Sequence, residues 1–160
     1  MRLLTLLVIT LLCLSSNTSF AAIGKITEDK GSAEIERQKS KLNAQPGLGI
    51  ESMDKVETAN GIVGITFQDN TQVRVTEHSK LLIDDFVYDP NKKGAGKLAL
   101  NVTMGTVRYA SGNIAHENNK NVAINTPTAS VAVRGTAFTM TVDEIGQSLR
   151  SEEHTSELQS

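Results

Sequence analysis

The chain offers few residue combinations that could catalyse a reaction. Of its three histidines, His78 comes closest to a catalytic pairing, because Ser79 follows it directly. Neighbouring residues of one strand point to opposite faces of a sheet, so this pair cannot act as base and nucleophile. The sequence contains neither a G-x-S-x-G nucleophile turn nor an H-E-x-x-H zinc motif. We therefore expect no catalytic residue, and we interpret His78 and His116 as surface turn residues.

One stretch gathers oxygen-bearing side chains of the kind that calcium prefers: Asp84, Asp85, Asp89 and Asn91. Calcium needs about 6–8 oxygen ligands. Lys92 and Lys93 lie in the same loop and oppose a cation, and the spacing matches no EF-hand. Solvated turn residues explain the cluster better. We expect neither a metal site nor any other cofactor in this chain.

The most strongly patterned segment, residues 126–138, contains a single charge, Arg134. Val131 and Val133 alternate with smaller residues, and Gly135 allows a bend before the alternation resumes. Two roles fit Arg134. An exposed guanidinium could bind a carboxylate on a ligand or partner. A partly buried one would pair with an internal acid or donate to carbonyls near Gly135, and we favour this structural role.

Short alternating runs separated by turn residues fill the chain between residues 22 and 149. In residues 71–76, for example, Val73 and Val75 share one face of the predicted strand. The dipeptide Asn60-Gly61 is the strongest signal for a two-residue hairpin turn. Strands that recur at intervals of about 8–12 residues predict an all-β domain. We expect a single domain of short strands, forming a sandwich or an irregular β-roll or solenoid-like structure, with little helix.

The first residues have the features of an export signal. A charged start precedes the apolar residues 3–14, and small residues occupy the two positions before Ala22 that a signal peptidase reads. Residues 1–21 are therefore predicted to be a signal peptide that is cleaved after Ala21, which would deliver the chain to the periplasm or outside the cell. Cys13 lies inside this signal, so the mature chain would contain no cysteine.

The last residues leave the β pattern. Residues 150–160 are polar apart from Leu158, and they match the translated reading frame of a common short-read sequencing adapter residue for residue. We expect this tail to be a disordered artefact of sequencing. The β-domain would then occupy residues 22–149 and be incomplete, because residues 147–149 resemble the start of a strand that is cut off before it can pair.

Charge and hydropathy exclude two classes of partner. The net charge of the whole chain is −2, and no basic stripe marks a nucleic-acid surface. After the signal, no apolar run approaches the roughly 20 residues that a membrane-spanning helix needs. We expect no nucleic-acid partner and no stable membrane span, which leaves an unidentified envelope protein or ligand as the partner.

The order of several sequence blocks resembles the FecR domain, the periplasmic part of sensor and regulator proteins of the ferric-dicitrate type. The resemblance covers residues 23–146, and its most specific block carries the family-motif residues Thr126, Pro127, Val133, Arg134, Gly135, Thr136 and Phe138. Earlier blocks include Asp54 to Val56 and Ile65 to Asn70. Asn70 stands where the family usually has glycine, a mild change because asparagine tolerates the left-handed conformation.

The resemblance implies a non-enzymatic module of the cell envelope that senses, regulates or binds another protein. The chain is most similar to the secreted or periplasmic branch of the family, because it begins with a signal peptide. The motif residues would then be structural. An envelope module that binds carbohydrate or peptidoglycan is the alternative.

Overall fold

The computed structural model describes residues 21–133, 136–143 and 148–152. Thirteen strands form within these ranges: β1 (Gly24–Lys30), β2 (Ala33–Arg37), β3 (Ser40–Asn43), β4 (Gly49–Ile50), β5 (Lys55–Thr58), β6 (Ile62–Phe67), β7 (Gln72–Val75), β8 (Lys80–Val87), β9 (Lys97–Ala110), β10 (Val122–Asn125), β11 (Ser130–Ala132), β12 (Ala137–Val142) and β13 (Ser148–Glu152). A short helix, α1 (Asn113–Glu117), and a 3-10 turn (Asn119–Asn121) lie between β9 and β10. The prediction of a single all-β domain is confirmed. Residues 1–20, which carry most of the predicted signal peptide, lie outside the described residues.

The strands form one curled sheet with two limbs that share the long strand β9. Limb A has the order β4-β1-β6-β7-β9-β12-β13, and limb B has the order β3-β2-β5-β8-β9-β10-β11. Residues 97–104 of β9 pair with β8, whereas residues 105–110 pair with β7 and β12. All of these pairings are antiparallel except that of β10 with β9.

The inner faces of both limbs contribute to one hydrophobic core. Strand β9 illustrates how a single strand serves both limbs, because Leu98, Leu100 and Val102 are buried, and so are Val107 and Tyr109. Val102 and Val107 are separated by an odd number of positions, and side chains of a strand alternate between its two faces. The buried face therefore changes sides along the strand. This change coincides with a register shift against β8. Burial of each such side chain stabilises the fold by roughly 1.5–3 kcal/mol.

Several segments of the chain lead from a strand of one limb to a strand of the other. We call each of these segments a crossing, and the crossings lie side by side. Strand β1 leads into β2 through Ser32, and β5 leads into β6 through residues 59–61. The N–H of Ala59 donates to the Ser32 carbonyl at 2.9 Å, and the N–H of His78, in the next crossing, donates to the Ala59 carbonyl at 2.9 Å. A Cβ on Gly61 would lie 2.6 Å from the Ser32 carbonyl oxygen. Glycine at position 61 therefore permits the close approach of two crossings.

The prediction of a β-hairpin at Asn60-Gly61 is wrong. Strand β5 pairs with β2 and β8, whereas β6 pairs with β1 and β7, so the two strands lie in different limbs. Neither Asn60 nor Gly61 has a positive φ. The tight two-residue turn occurs instead at Gln38 and Lys39, whose φ values are 48° and 68°, and it joins β2 to β3.

Two further elements differ from the sequence prediction. Asp84 and Asp85 do not separate two strands but lie within β8, where a register shift between Ile83 and Asp85 accommodates them. The helix α1 was not expected from periodicity. It is held by tertiary contacts, because Ile114 is buried in the core and its N–H donates to the Asp69 carboxylate at 3.2 Å.

The start of the C-terminal tail also differs from its prediction. Residues 147–149 were expected to lack a pairing partner and residues 150–160 to be disordered, yet β13 pairs with β12 along its whole length, from Ser148 to Glu152. The outer edge of β12 presents unpaired backbone groups that bond to an extended segment whatever its side chains. The exposed Leu149 fits such backbone-driven pairing. Residues 153–160 lie outside the described residues.

Candidate functional site

The first half of the motif segment forms the hairpin between β10 and β11. The N–H of Thr126 donates to the Ala129 carbonyl at 2.8 Å, and the Thr126 hydroxyl accepts the N–H of Ala129 at 3.0 Å. Pro127 lies exposed at the tip of this turn. The side chain of Thr126 thus closes the turn and offers little reactive chemistry.

The second half of the motif segment leads from limb B to limb A, because β11 pairs with β10 and β12 pairs with β9. Val133 is buried, and the exposed Thr136 accepts the N–H of Ser111 through its carbonyl at 2.7 Å. Phe138 is buried with its ring centroid 5.2 Å from that of Tyr109. Arg134 and Gly135 lie outside the described residues. The motif therefore occupies a crossing between the limbs.

A cluster of hydroxyl side chains joins the other crossings. The Thr58 hydroxyl donates to the Thr76 carbonyl and accepts the N–H of Ser79 at 2.9 Å. The Ser79 hydroxyl in turn accepts the N–H of Thr106 at 2.9 Å. Thr58 and Ser79 are both buried. These hydroxyls bond to backbone groups at the ends of strands, where the backbone no longer pairs with a neighbouring strand. They therefore fix the positions of the two limbs relative to each other.

Asp69 organises the turn between β6 and β7 and also the start of α1. Its carboxylate is fully buried and accepts the N–H of Thr71 at 3.0 Å, the Thr71 hydroxyl at 2.7 Å and the N–H of Ile114 at 3.2 Å. Asn70, which lies between Asp69 and Thr71, has a φ of 65°, the left-handed conformation expected for this position. A buried carboxylate with three donors is fully engaged in structure.

A second buried carboxylate, that of Asp54, forms an ion pair with Arg37. Arg37 Nε donates to Asp54 Oδ1 at 2.8 Å and Nη2 donates to Oδ2 at 2.6 Å, while Nη1 donates to Glu51 Oε1 at 2.7 Å. Hydrogen bonding to Asp54 raises the pKa of Arg37 above its usual value, so this guanidinium stays charged. This bidentate contact holds the end of β2 against the loop before β5.

The structure separates the residues that were considered for catalysis. His78 is exposed, whereas its neighbour Ser79 is buried with its hydroxyl bonded to backbone. His116 is exposed on α1 rather than in a turn. Within the described ranges, no group of three or more His, Cys, Asp or Glu side chains could hold a metal ion.

The acidic residues considered for calcium are engaged with lysines or with their own turn. The Asp85 carboxylate lies 2.8 Å from Lys97 Nζ. Asp89 accepts the N–H of Asn91 at 2.9 Å and lies 3.7 Å from Lys92 Nζ. Asp84 is exposed on β8. Their oxygens therefore do not converge on one point.

The limbs end in strands that pair on one side only within the described structure, namely β3, β4, β11 and β13. Strand β4 has two residues and β11 has three, whereas β3 carries the exposed Lys41. Strand β13 has five residues and exposes 77% of Leu149. Strand β13 is the longest of these four edges and exposes a large apolar side chain, so it is the edge best suited to binding a foreign strand.

Comparison with known proteins gives one match. The family model described as FecR protein matches residues 54–153, more than half of the chain, from the buried Asp54 through β13. Searches of the curated proteins and of the solved structures found no match. Among the helices of the described residues, none is long and apolar enough to cross a membrane.

Proposed function

The chain belongs to the FecR family, and from that premise we propose that it is a non-enzymatic sensing or protein-interaction module of the periplasm. The family supplies the class of function, a regulatory and sensing module associated with the cell envelope. The sequence of residues 1–21 supports the compartment, because it has the charged start, apolar core and small residues of an export signal.

The observation that carries the proposal is the edge of limb A at β13. This strand pairs with β12 from Ser148 to Glu152, and its first two residues, Ser148 and Leu149, precede the segment that is predicted to derive from the adapter. The outer side of β13 then presents the next row of backbone donors and acceptors. A partner that adds an extended segment gains main-chain hydrogen bonds, and an exposed apolar side chain such as Leu149 offers a contact for its side chains.

Photo-crosslinking in the periplasm tests this proposal. A photoreactive amino acid placed at position 149 should form an adduct with one defined envelope protein. The matched control is the same residue at position 87, because Val87 is also an exposed apolar residue, at 52%, but lies on β8 of limb B, opposite Lys97 of β9, rather than on the β13 edge. Adducts that form equally from both positions would contradict docking at this edge.

Introducing a charge at position 149 provides a second test of binding at the β13 edge. Leu149→Lys should reduce recovery of the crosslinked protein in affinity capture, since a lysine on an edge strand opposes strand addition. Val87→Lys should leave recovery unchanged. If the chain instead sediments with purified peptidoglycan and neither substitution affects protein capture, the carbohydrate-binding alternative replaces this proposal.

A further inference from the structure

The dipeptide Asn60-Gly61 has a chemical property that its place in the fold leaves unexplained. When glycine follows an asparagine, its peptide nitrogen reaches the side-chain amide of the asparagine with little hindrance, because glycine has no Cβ. The amide is then lost as ammonia, and asparagine is accordingly one of the thermolabile residues. Asn60 is the only asparagine of the chain that precedes a glycine. Its side chain is exposed.

The peptide group between Asn60 and Gly61 is packed against the crossing that joins β1 to β2. A Cβ on Gly31 would lie 2.1 Å from the Asn60 carbonyl oxygen and 2.9 Å from the Cα of Gly61. In the same way, a Cβ on Gly61 would lie 2.6 Å from the Ser32 carbonyl oxygen. Gly61 is buried, although Asn60 is exposed. The folded protein therefore exposes the side-chain amide but holds the residue with the attacking nitrogen in a crowded position.

Hydrogen bonds hold this segment on both sides. The N–H of Ala59 donates to the Ser32 carbonyl at 2.9 Å, and the Ala59 carbonyl accepts the N–H of His78 at 2.9 Å. Strand β6 follows directly after Gly61 and pairs with β1. Closing a ring between Asn60 and Gly61 requires the peptide group between them to turn toward the Asn60 side chain, and these contacts oppose that motion. The reaction therefore requires local opening of the crossing.

We propose that Asn60 is a deamidation site that the native crossing protects and that reacts in chains whose crossing has opened. In this reaction the Gly61 nitrogen forms a bond to Asn60 Cγ. The bond from Cγ to the amide nitrogen breaks, and that nitrogen takes up the Gly61 proton and leaves as ammonia. Water then opens the resulting succinimide at either of its carbonyls. One product has aspartate at position 60, and the other has isoaspartate, in which the main chain runs through Cβ and Cγ. Water is the only co-reactant.

The two products have different consequences for the fold. Aspartate leaves the main chain unchanged and adds a charge at an exposed position. Isoaspartate lengthens the main chain by one carbon atom at the point where the Asn60 carbonyl lies against Gly31. A chain that carries isoaspartate therefore cannot restore the crossing, so the modification permanently marks chains that have opened. This site involves no partner and no residue of the β13 edge, and it does not rest on the proposed function.

Peptide mapping by mass spectrometry tests the proposal. The chain is incubated in mildly alkaline buffer, both folded and in guanidinium chloride, and conversion of amide to acid at position 60 is followed over time. Lys92→Gly is the matched control, because it places the same dipeptide in an exposed loop, after Asn91. Relative to its own rate in denaturant, Asn60 should react at least about tenfold more slowly in the folded protein than Asn91 does, since exposed loops open at little cost. Equal relative rates, or no reaction of Asn60 in denaturant, overturn the proposal.

Refolding of the reacted chains tests the consequence for the fold. After incubation in denaturant, the denaturant is removed, and compact monomers are separated from the remaining chains by size-exclusion chromatography. Isoaspartate at position 60 should be depleted from the compact fraction. Asn60→Asp is the control, because it has the charge of the product without the longer main chain, and it should refold as the parent does. An equal proportion of isoaspartate in both fractions would show that the crossing tolerates the longer main chain and would contradict the permanent mark.

Discussion

Ser79 occupies the space that a side chain at Gly105 would need. A Cβ on Gly105 would lie 2.1 Å from Ser79 Oγ and 2.5 Å from Ser79 Cα. In the native chain the Ser79 hydroxyl uses that space to accept the N–H of Thr106 at 2.9 Å. Strand β9 can therefore pass from limb B to limb A at this point only because residue 105 has no side chain.

Substitution of Gly105 should be much more costly than substitution of an uncrowded glycine. Gly105 has a φ of 87°, and Gly47 has a φ of 89° with no atom within 4 Å of the position that a Cβ would occupy. Gly47→Ala should cost only the conformational strain of about 1–2 kcal/mol. Gly105→Ala should cost at least about 3 kcal/mol, since the backbone of Ser79 must also move. Equal losses in urea denaturation would show that the Ser79 contact does not limit the fold.

The strands could be predicted from the sequence, but not the way in which they pair. Alternation such as that of Val73 and Val75 marks a buried face directly, because side chains of a strand point to opposite faces in turn. The Asn60-Gly61 dipeptide is locally indistinguishable from a hairpin turn. Its actual role depends on Ser32, which a different crossing brings within 2.6 Å of a Cβ at position 61. The topology at this point depends on a contact between residues far apart in the sequence, and the residues next to Asn60 and Gly61 carry no sign of that contact.

Loss of the Arg37–Asp54 pair should destabilise the fold strongly. Asp54 is fully buried and Arg37 is about one-fifth exposed, at 21%. Asp54→Asn removes the charge but keeps the shape, and it should cost about 3 kcal/mol because Arg37 keeps its charge without this partner. Lys55→Ala breaks an exposed pair with Glu36 and should cost less than about 1 kcal/mol. Comparable losses in the two variants would refute a structural role for the buried pair.

The importance of Asp54 was visible in the sequence only through the family resemblance. Its partner Arg37 lies 17 positions earlier in the chain, on the same face of β2 as the buried Ala33 and Ile35. Two-residue periodicity places Arg37 on a face but cannot name the acid that it meets.

The hydroxyl of Thr58 should matter more than its methyl group. Thr58→Val keeps the shape but leaves the N–H of Ser79 without its side-chain acceptor, so a loss of about 1–3 kcal/mol is expected. Thr141→Val is the control, because its hydroxyl meets that of Thr106 at an exposed site, at 2.9 Å. Denaturation midpoints of the two variants give the comparison, and an unchanged midpoint for Thr58→Val would show that the crossings do not need this hydroxyl.

The adapter origin of residues 150–160 remains a prediction that resequencing of the source locus can test. Continuous genomic reads should diverge from this sequence after Leu149. Reads that encode residues 150–160 followed by a stop codon would contradict the adapter origin.

Ionisation of Tyr109 should make the fold lose stability in alkaline solution. Burial raises the pKa of the Tyr109 phenol above its usual value of 10.0, and the negative charge of Asp69 acts in the same direction. The unfolded chain therefore loses this proton first, so the stabilisation is complete below about pH 10 and is lost as the pH rises toward the folded-state pKa. Over that interval the contribution of this group falls by up to about 1.4 kcal/mol per pH unit. Tyr109→Phe should accordingly show a shallower loss of unfolding free energy above pH 10 than the parent chain. Phenolate absorbance in a Tyr88→Phe background, where Tyr109 is the only tyrosine, reports the midpoint directly. A native midpoint at or below that measured in denaturant would refute the burial of this phenol.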